Sequence, residues 1–170
     1  MDIRKLVALP VLSVRQPWAS YIIAGIKTTE LRSWPTEYRG WLWIHTGKQL
    51  DLEALEIFRL PASDFRTGGL LGIAKLASCT LIRNAAEWHA RRNEHRSPGQ
   101  FSQGIYAWVF RDTVALWEKI ECRGELGLFR LDTLTRERVE DHLMNTSLQQ
   151  DFVETVRDLP DPSDDSSGVR

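Results

Sequence analysis

Cysteine is scarce in this 170-residue chain: Cys79 and Cys122 are the only two. Neither lies in a C-x-x-C pair, and no His/Cys spacing suits zinc, so no metal site is read and no cofactor is called for. Two thiols in apolar, strand-like stretches fit a reducing compartment better than a disulfide scaffold. Long apolar runs are missing too, which excludes a membrane-spanning helix. The start, MDIRKLVALPVLSV, imitates a secretion signal, but Pro10 interrupts the apolar run and no small-residue cleavage site follows. These absences point to a cytoplasmic protein, with a nuclear placement open for a eukaryotic source.

Net charge is nearly absent as well, at −1, but that average conceals an asymmetry. Residues 1–130 hold 18 Lys/Arg against 13 Asp/Glu, a net of +5, and residues 131–170 hold four against ten, a net of −6. Attraction for phosphate follows local charge rather than the total. Tryptophan, by contrast, is plentiful, with seven residues. Its ring fills cores and also offers a flat face to a nucleobase.

The apolar pattern predicts a strand over Val7–Val14, a short helix over Pro17–Ala24 and a second strand over Lys27–Trp34. Pro17 suits a first helical turn and Gly25 a helix end. A third strand, Trp41–Thr46, sets Trp41, Trp43 and His45 on one face. LDLEALEIFRL has helical spacing, and GGLLGIAKLASCTLI reads as a long strand in which Gly72 signals a bulge or a close backbone approach. NAAEWHARRNEHR reads as a helix opened by Asn84 and Glu87 as a capping box. It carries a basic stripe whose default place is a solvated face. IYAWVF and VALWEKIEC read as two strands joined through an Arg111–Asp112–Thr113 turn, and LFRLD as a last strand. TRERVEDHLM and LQQDFVETVRDL are helical in pattern, and PDPSDDSSGVR has the composition of a disordered segment. Six or seven strands with helices inserted between them indicate an α+β fold, a small mixed β-barrel with short inserted helices.

One segment departs from an ordinary half-buried strand: GIKTTELRSW crowds Lys27, Glu30, Arg32 and Trp34 together. The plain reading is a surface ion pair of little worth; the other is the lining of a cavity. The surroundings favour the cavity. LSVRQPWASYIIAGIKTTELRSWPTEYRGWLWIHT resembles the opening of an ASCH domain, the activating-signal-cointegrator homology module. The matching features are Ser13 with Arg15, Gln16, Pro17 and Trp18, then Gly25-x-Lys27-x-x-Glu30-x-Arg32, then Arg39-Gly40 before a strand. LLGIAKL, YAWVF and RGELGLF fit more thinly, so the likeness runs from about residue 10 to 132.

The resemblance implies a PUA-like barrel with a cleft beside the helix after the first strand, and RNA or DNA as partner. It divides the chain into an ASCH/PUA-like domain over 1–132, a C-terminal helical extension over 133–159 and a disordered acidic tail over 160–170. A protein partner engaging the C-terminal helices also fits. The implied nucleic-acid-binding set is Arg15, Gln16, Lys27, Glu30, Arg32, Trp34, Arg39 and His45. Lys27 supplies a point charge and Arg32 a planar fork. Arg15 adds charge at a helix N-terminus, which itself favours anions. Trp34 is the tryptophan best placed to stack on a base, and Trp18 is read as core. Arg39 would close the far side of the cleft. A lone strand histidine such as His45 is more often structural than catalytic.

Some family members are hydrolases of acetylated cytidine, with a threonine nucleophile three residues after the Lys of G-x-K. Here that position is Glu30, which lacks the hydroxyl for acyl transfer. A hydrolase or nuclease acting on RNA or modified nucleosides in the same cleft stands as the alternative, with Glu30, Lys27 and His45 as its acid–base candidates.

Overall fold

A computed structural model describes residues 1–145 and 150–159 of the chain. Its centre is a six-stranded sheet of β1 (Pro10–Gln16), β2 (Thr29–Arg32), β3 (Gly40–Leu50), β4 (Gly69–Leu81), β5 (Tyr106–Glu121) and β6 (Leu128–Arg130). The spatial order is β2-β5-β4-β3-β1-β6. β1 and β3 run parallel, and the other neighbours are antiparallel. The fold is α+β, as the patterning predicts, but β2 and β6 form two edges and the barrel is not closed.

Apolar side chains cover both faces of the sheet. On one, Val11, Trp41, Trp43, Leu70, Ile73 and Phe129 pack with α1 (Ile3–Val7), α6 (Thr133–Asn145) and α7 (Gln150–Arg157). Trp43 stacks on Phe152 at 5.7 Å between ring centres, and its indole N–H donates to the Leu6 carbonyl at 2.9 Å. The amino group of Met1 donates to the carbonyls of Val156, Arg157 and Leu159, tying the first residue to the end of α7. On the other face, Leu12, Leu42, Ile44, Ala74, Trp108 and Phe110 pack under α2 (Trp18–Ile23) and α3 (Leu52–Ile57). Alternate residues of β3 thus feed two different cores, as strand geometry requires.

Three predicted elements differ from those observed. Val7–Val14 is not one strand: Ile3–Val7 is helical, and β1 begins at Pro10. Asp2 caps that helix by accepting from the Arg4 amide, and Ile3, Leu6 and Val7 bury one stripe of it. IYAWVF and VALWEKIEC do not form a hairpin. They are one strand, β5, paired with β4 from Tyr106 to Glu121 except where the register shifts, most widely between Ala115 and Ile120. Asp112, with φ +36°, is the extra residue of a bulge between the partners of Lys75 and Ala74. NAAEWHARRNEHR splits at Arg91 into α4 (Ala85–Ala90) and α5 (Arg92–His95). Asn84 caps α4 as predicted, accepting from the Glu87 amide at 2.9 Å, and Glu87 reaches back to the Arg83 amide rather than to Asn84.

Gly72 meets its expectation. It sits at a register shift of β4, where a Cβ would press on the Val114 carbonyl and lie 3.0 Å from Ala115 Cα. The segment read as a disordered tail, 160–170, lies outside the described residues.

Candidate functional site

An open cavity of about 1160 Å³ lies where β1, β3 and β2 meet the β5–β6 loop. Its floor is built from alternate residues of strands. Ser13 comes from β1, Glu30 and Arg32 from β2, and His45 from β3. Ser13 and His45 are partners across the parallel β1–β3 pair, so their side chains emerge side by side.

The Glu30 carboxylate sits between two cations. Its Oε1 lies 3.3 Å from Arg32 Nε, and its Oε2 lies 3.5 Å from Lys27 Nζ. Lys27 is 3 % exposed. Its ammonium donates to the His95 carbonyl and rests 5.0 Å from the centre of the Trp18 ring. Burial pushes the Lys27 pKa down, and the neighbouring Glu30 charge opposes that shift. α4 and α5 form the backing of this arrangement. His95 is fully buried, its ring held by the Trp88 carbonyl and the Ser97 amide. Thr29 and Arg91 both bind Glu94, which fixes α5 to β2.

Arg32 reaches across to β1, where its Nη2 donates to the Ser13 carbonyl at 2.6 Å. Its Nε–H is buried and makes no hydrogen bond, despite the nearby carboxylate. The Ser13 hydroxyl lies 3.0 Å from His45 Nδ1, and His45 Nε2 lies 3.2 Å from the Cys122 carbonyl. A carbonyl only accepts, so Nε2 carries the proton and Nδ1 accepts from Ser13. Burial pushes the His45 pKa down, more than the Cys122 bond raises it, so the ring is neutral near pH 7. Gly124 packs against this pair: a Cβ there would stand 2.6 Å from His45 Nδ1 and 2.8 Å from Ser13 Oγ.

The rim is cationic. Arg15, Lys48, Arg123 and Arg138 line it, with Glu121 and Glu125 among them. With Glu30 and Arg32, the wall holds five basic against three acidic side chains. Arg138 comes from α6. Glu121 is paired with Lys119 at 2.9 Å, which with the lesser pull of Arg138 and Lys48 lowers its pKa. Among the described residues, no three His, Cys, Asp or Glu side chains are placed to hold a metal ion, and no helix is long and apolar enough to cross a membrane.

Of the residues singled out from the sequence, Arg15, Glu30, Arg32 and His45 share the cavity wall. Lys27 stands immediately behind, on the far side of Glu30. The other three lie elsewhere. Gln16 is buried and ties β1 to the Arg66 carbonyl and to the Ser20 amide at the start of α2. Trp34 packs edge-on against Trp108 at 4.6 Å, and its carbonyl accepts the Trp108 indole N–H. Arg39 folds onto its own turn, donating to the carbonyls of Thr36 and Tyr38. Trp18 is buried, as read, and shows one edge to the cavity.

Sequence reasoning missed Ser13, Lys48, Arg123 and Arg138 as wall residues. Ser13 stood inside the recognised motif and was passed over. Arg123 lies in RGELG, read only as a turn. Arg138 was hidden by the acidic average of its segment.

A profile of the ASCH domain matches residues 12–123. Activating signal cointegrator 1 of Mus musculus and of Homo sapiens are each 29% identical over 147 residues, covering 78% of this chain and 24% of theirs. The chain thus spans about a quarter of the length of these curated relatives. Among solved structures, the ASCH protein from Zymomonas mobilis has a similar fold, with a TM-score of 0.55 at 16% identity. That match covers 80% of this chain and 94% of the other, and a point mutant of the same protein matches equally well at 15% identity.

Proposed function

Because this chain belongs to the ASCH domain family, we propose that it is a nucleic-acid-binding module whose cationic cavity beside α2 receives the backbone of RNA or DNA. The family is PUA-like and associated with RNA binding. The observation that carries the reading is the composition of the cavity wall. Arg32 and the buried Lys27 already neutralise Glu30. Arg15, Lys48, Arg123 and Arg138 therefore outweigh the acids left on the rim. A concave surface with an excess of positive charge focuses its field and attracts a polyanion. Affinity from such contacts comes largely from counterion release, so it falls steeply with salt.

The test is a titration of short single- and double-stranded RNA and DNA by fluorescence anisotropy at two salt concentrations. Binding that weakens with salt and is reduced by Arg15→Ala and Arg32→Ala supports the reading. Binding that ignores salt, or variants that bind as wild type does, refutes it.

The Ser13–His45 hydrogen bond favours a second reading, hydrolysis in the same cavity. A neutral histidine whose Nδ1 accepts from a serine hydroxyl has the arrangement of a general base beside its nucleophile. Release of product from RNA or an acylated nucleoside, lost in Ser13→Ala, supports that reading; intact ligand after prolonged incubation removes it.

A further inference from the structure

Leu126 is 99% exposed, and it stands on the wall of the cavity. A lone exposed leucine is ordinary on a protein surface. This one is distinguished by its place. It lies in the segment between β5, which ends at Glu121, and β6, which begins at Leu128. Gly124 anchors the base of that loop against His45 and Ser13, where no side chain fits. Gly127, with φ +73°, turns the chain back into β6. Between these fixed points the leucine side chain has no apolar neighbour to cover it. Arg123, Arg138, Lys48 and Arg15 line the same cavity.

Resting on the nucleic-acid reading above, we propose that the protein binds paired nucleic acid with one nucleotide extruded into the cavity, Leu126 filling the gap left in the base stack. Apolar wedges inserted at base steps are how proteins hold a duplex open. Extrusion costs a few kcal/mol of pairing and stacking, and a side chain that restores stacking contact offsets part of it. The cavity, at about 1160 Å³, exceeds the roughly 300–1,000 Å³ of an ordinary small-molecule cleft. It has room for a nucleotide together with its phosphates. The rim cations hold the flanking phosphates, and Glu30 on the floor offers acceptors to the amino edge of the extruded base. A wedge has no such task on an unstacked single strand, which is why the proposal commits to a duplex.

The test uses DNA and RNA duplexes of one sequence with a single 2-aminopurine, whose fluorescence rises when it leaves the stack. Anisotropy reports binding in the same sample. The expected result is a several-fold rise on binding at low salt in at least one duplex. Leu126→Gly should bind with an unchanged salt dependence and lose most of that rise, while Leu126→Met keeps it. The side chain is fully exposed, so neither change threatens the fold. A bound duplex with no rise, or an equal rise with Leu126→Gly, overturns extrusion and leaves the binding reading standing. Absence of any duplex binding at low salt overturns extrusion, and the nucleic-acid reading falls with it only if the single strands of the titration above also fail to bind.

Discussion

Lys27 and Arg15 are both basic and twelve positions apart, yet they do different work. Lys27 is buried, and its ammonium holds Glu30 and the His95 carbonyl. Arg15 is exposed on the rim. Lys27→Met should therefore destabilise the protein by about 1–3 kcal/mol, because it leaves a buried carbonyl without its donor and removes a charge-assisted contact. Arg15→Ala should leave stability within about 0.5 kcal/mol and weaken ligand binding instead. Urea denaturation and anisotropy, run on both variants, separate the two roles. Histidine supplies a second residue-scale expectation. Burial lowers the pKa of His45 and of His95 below the ordinary 6.5. The unfolded chain then binds more protons than the folded one as pH falls through that value. Stability must rise with pH there and decline on acidification below about 6.5. Thermal unfolding at pH 7.5 and at pH 5.5 should show the lower midpoint at pH 5.5, and His45→Asn should reduce the difference. An equal drop in the variant would assign the effect to other groups.

At the scale of elements, the β5–β6 loop is the part on which the site most depends. Gly124→Ala places a methyl group against His45 and Ser13, at distances the fold must relieve by moving. Overpacking of this kind costs typically about 1–3 kcal/mol. Chemical denaturation should show that loss, and binding should weaken along with it because the loop carries Arg123. The same scale shows what local sequence conveys. The β1–α2–β2 stretch was legible because several fixed spacings coincide there: the order strand, helix, strand is as expected and α2 lies close to its predicted bounds, whereas β1 begins three residues later and β2 has half the expected length. β5 was misread because Arg111-Asp112-Thr113 has turn chemistry, yet the left-handed residue only bulges one long strand. Its continuity depends on β4 alongside, and no local signal reports a pairing partner. α1 was misread because Val7 and its neighbours have strand propensity, which packing against α6 and α7 overrides. Trp34 was singled out as the tryptophan best placed to stack; that its half-buried ring packs edge-on against Trp108 is a tertiary matter no local signal reports.

Across the whole molecule, the basic body and the acidic C-terminal segment oppose each other. Residues 160–170 contain Asp161, Asp164 and Asp165 against Arg170, a net of −2. Removing them should tighten nucleic-acid binding at low salt and matter little at high salt, since exposed charges are screened beyond about 10 Å at 0.1 M. Equal affinity of the full and shortened chains at low salt would show that the segment does not compete for the site. α6 belongs to this scale as well. It lies beyond the part matched to the ASCH profile, yet it delivers Arg138 to the cavity. The C-terminal helices thus share a core with α1, and α6 completes the wall of the site.

The most direct test of the cationic cavity is the slope of log affinity against log salt for one oligonucleotide, measured for the wild type, Lys48→Ala and Arg138→Ala. Each lost phosphate contact should reduce the magnitude of the slope by about one. The account predicts shallower slopes and weaker binding for both variants, with the fold intact because both side chains are exposed. Slopes indistinguishable from wild type in both would place the nucleic acid away from this cavity and contradict it.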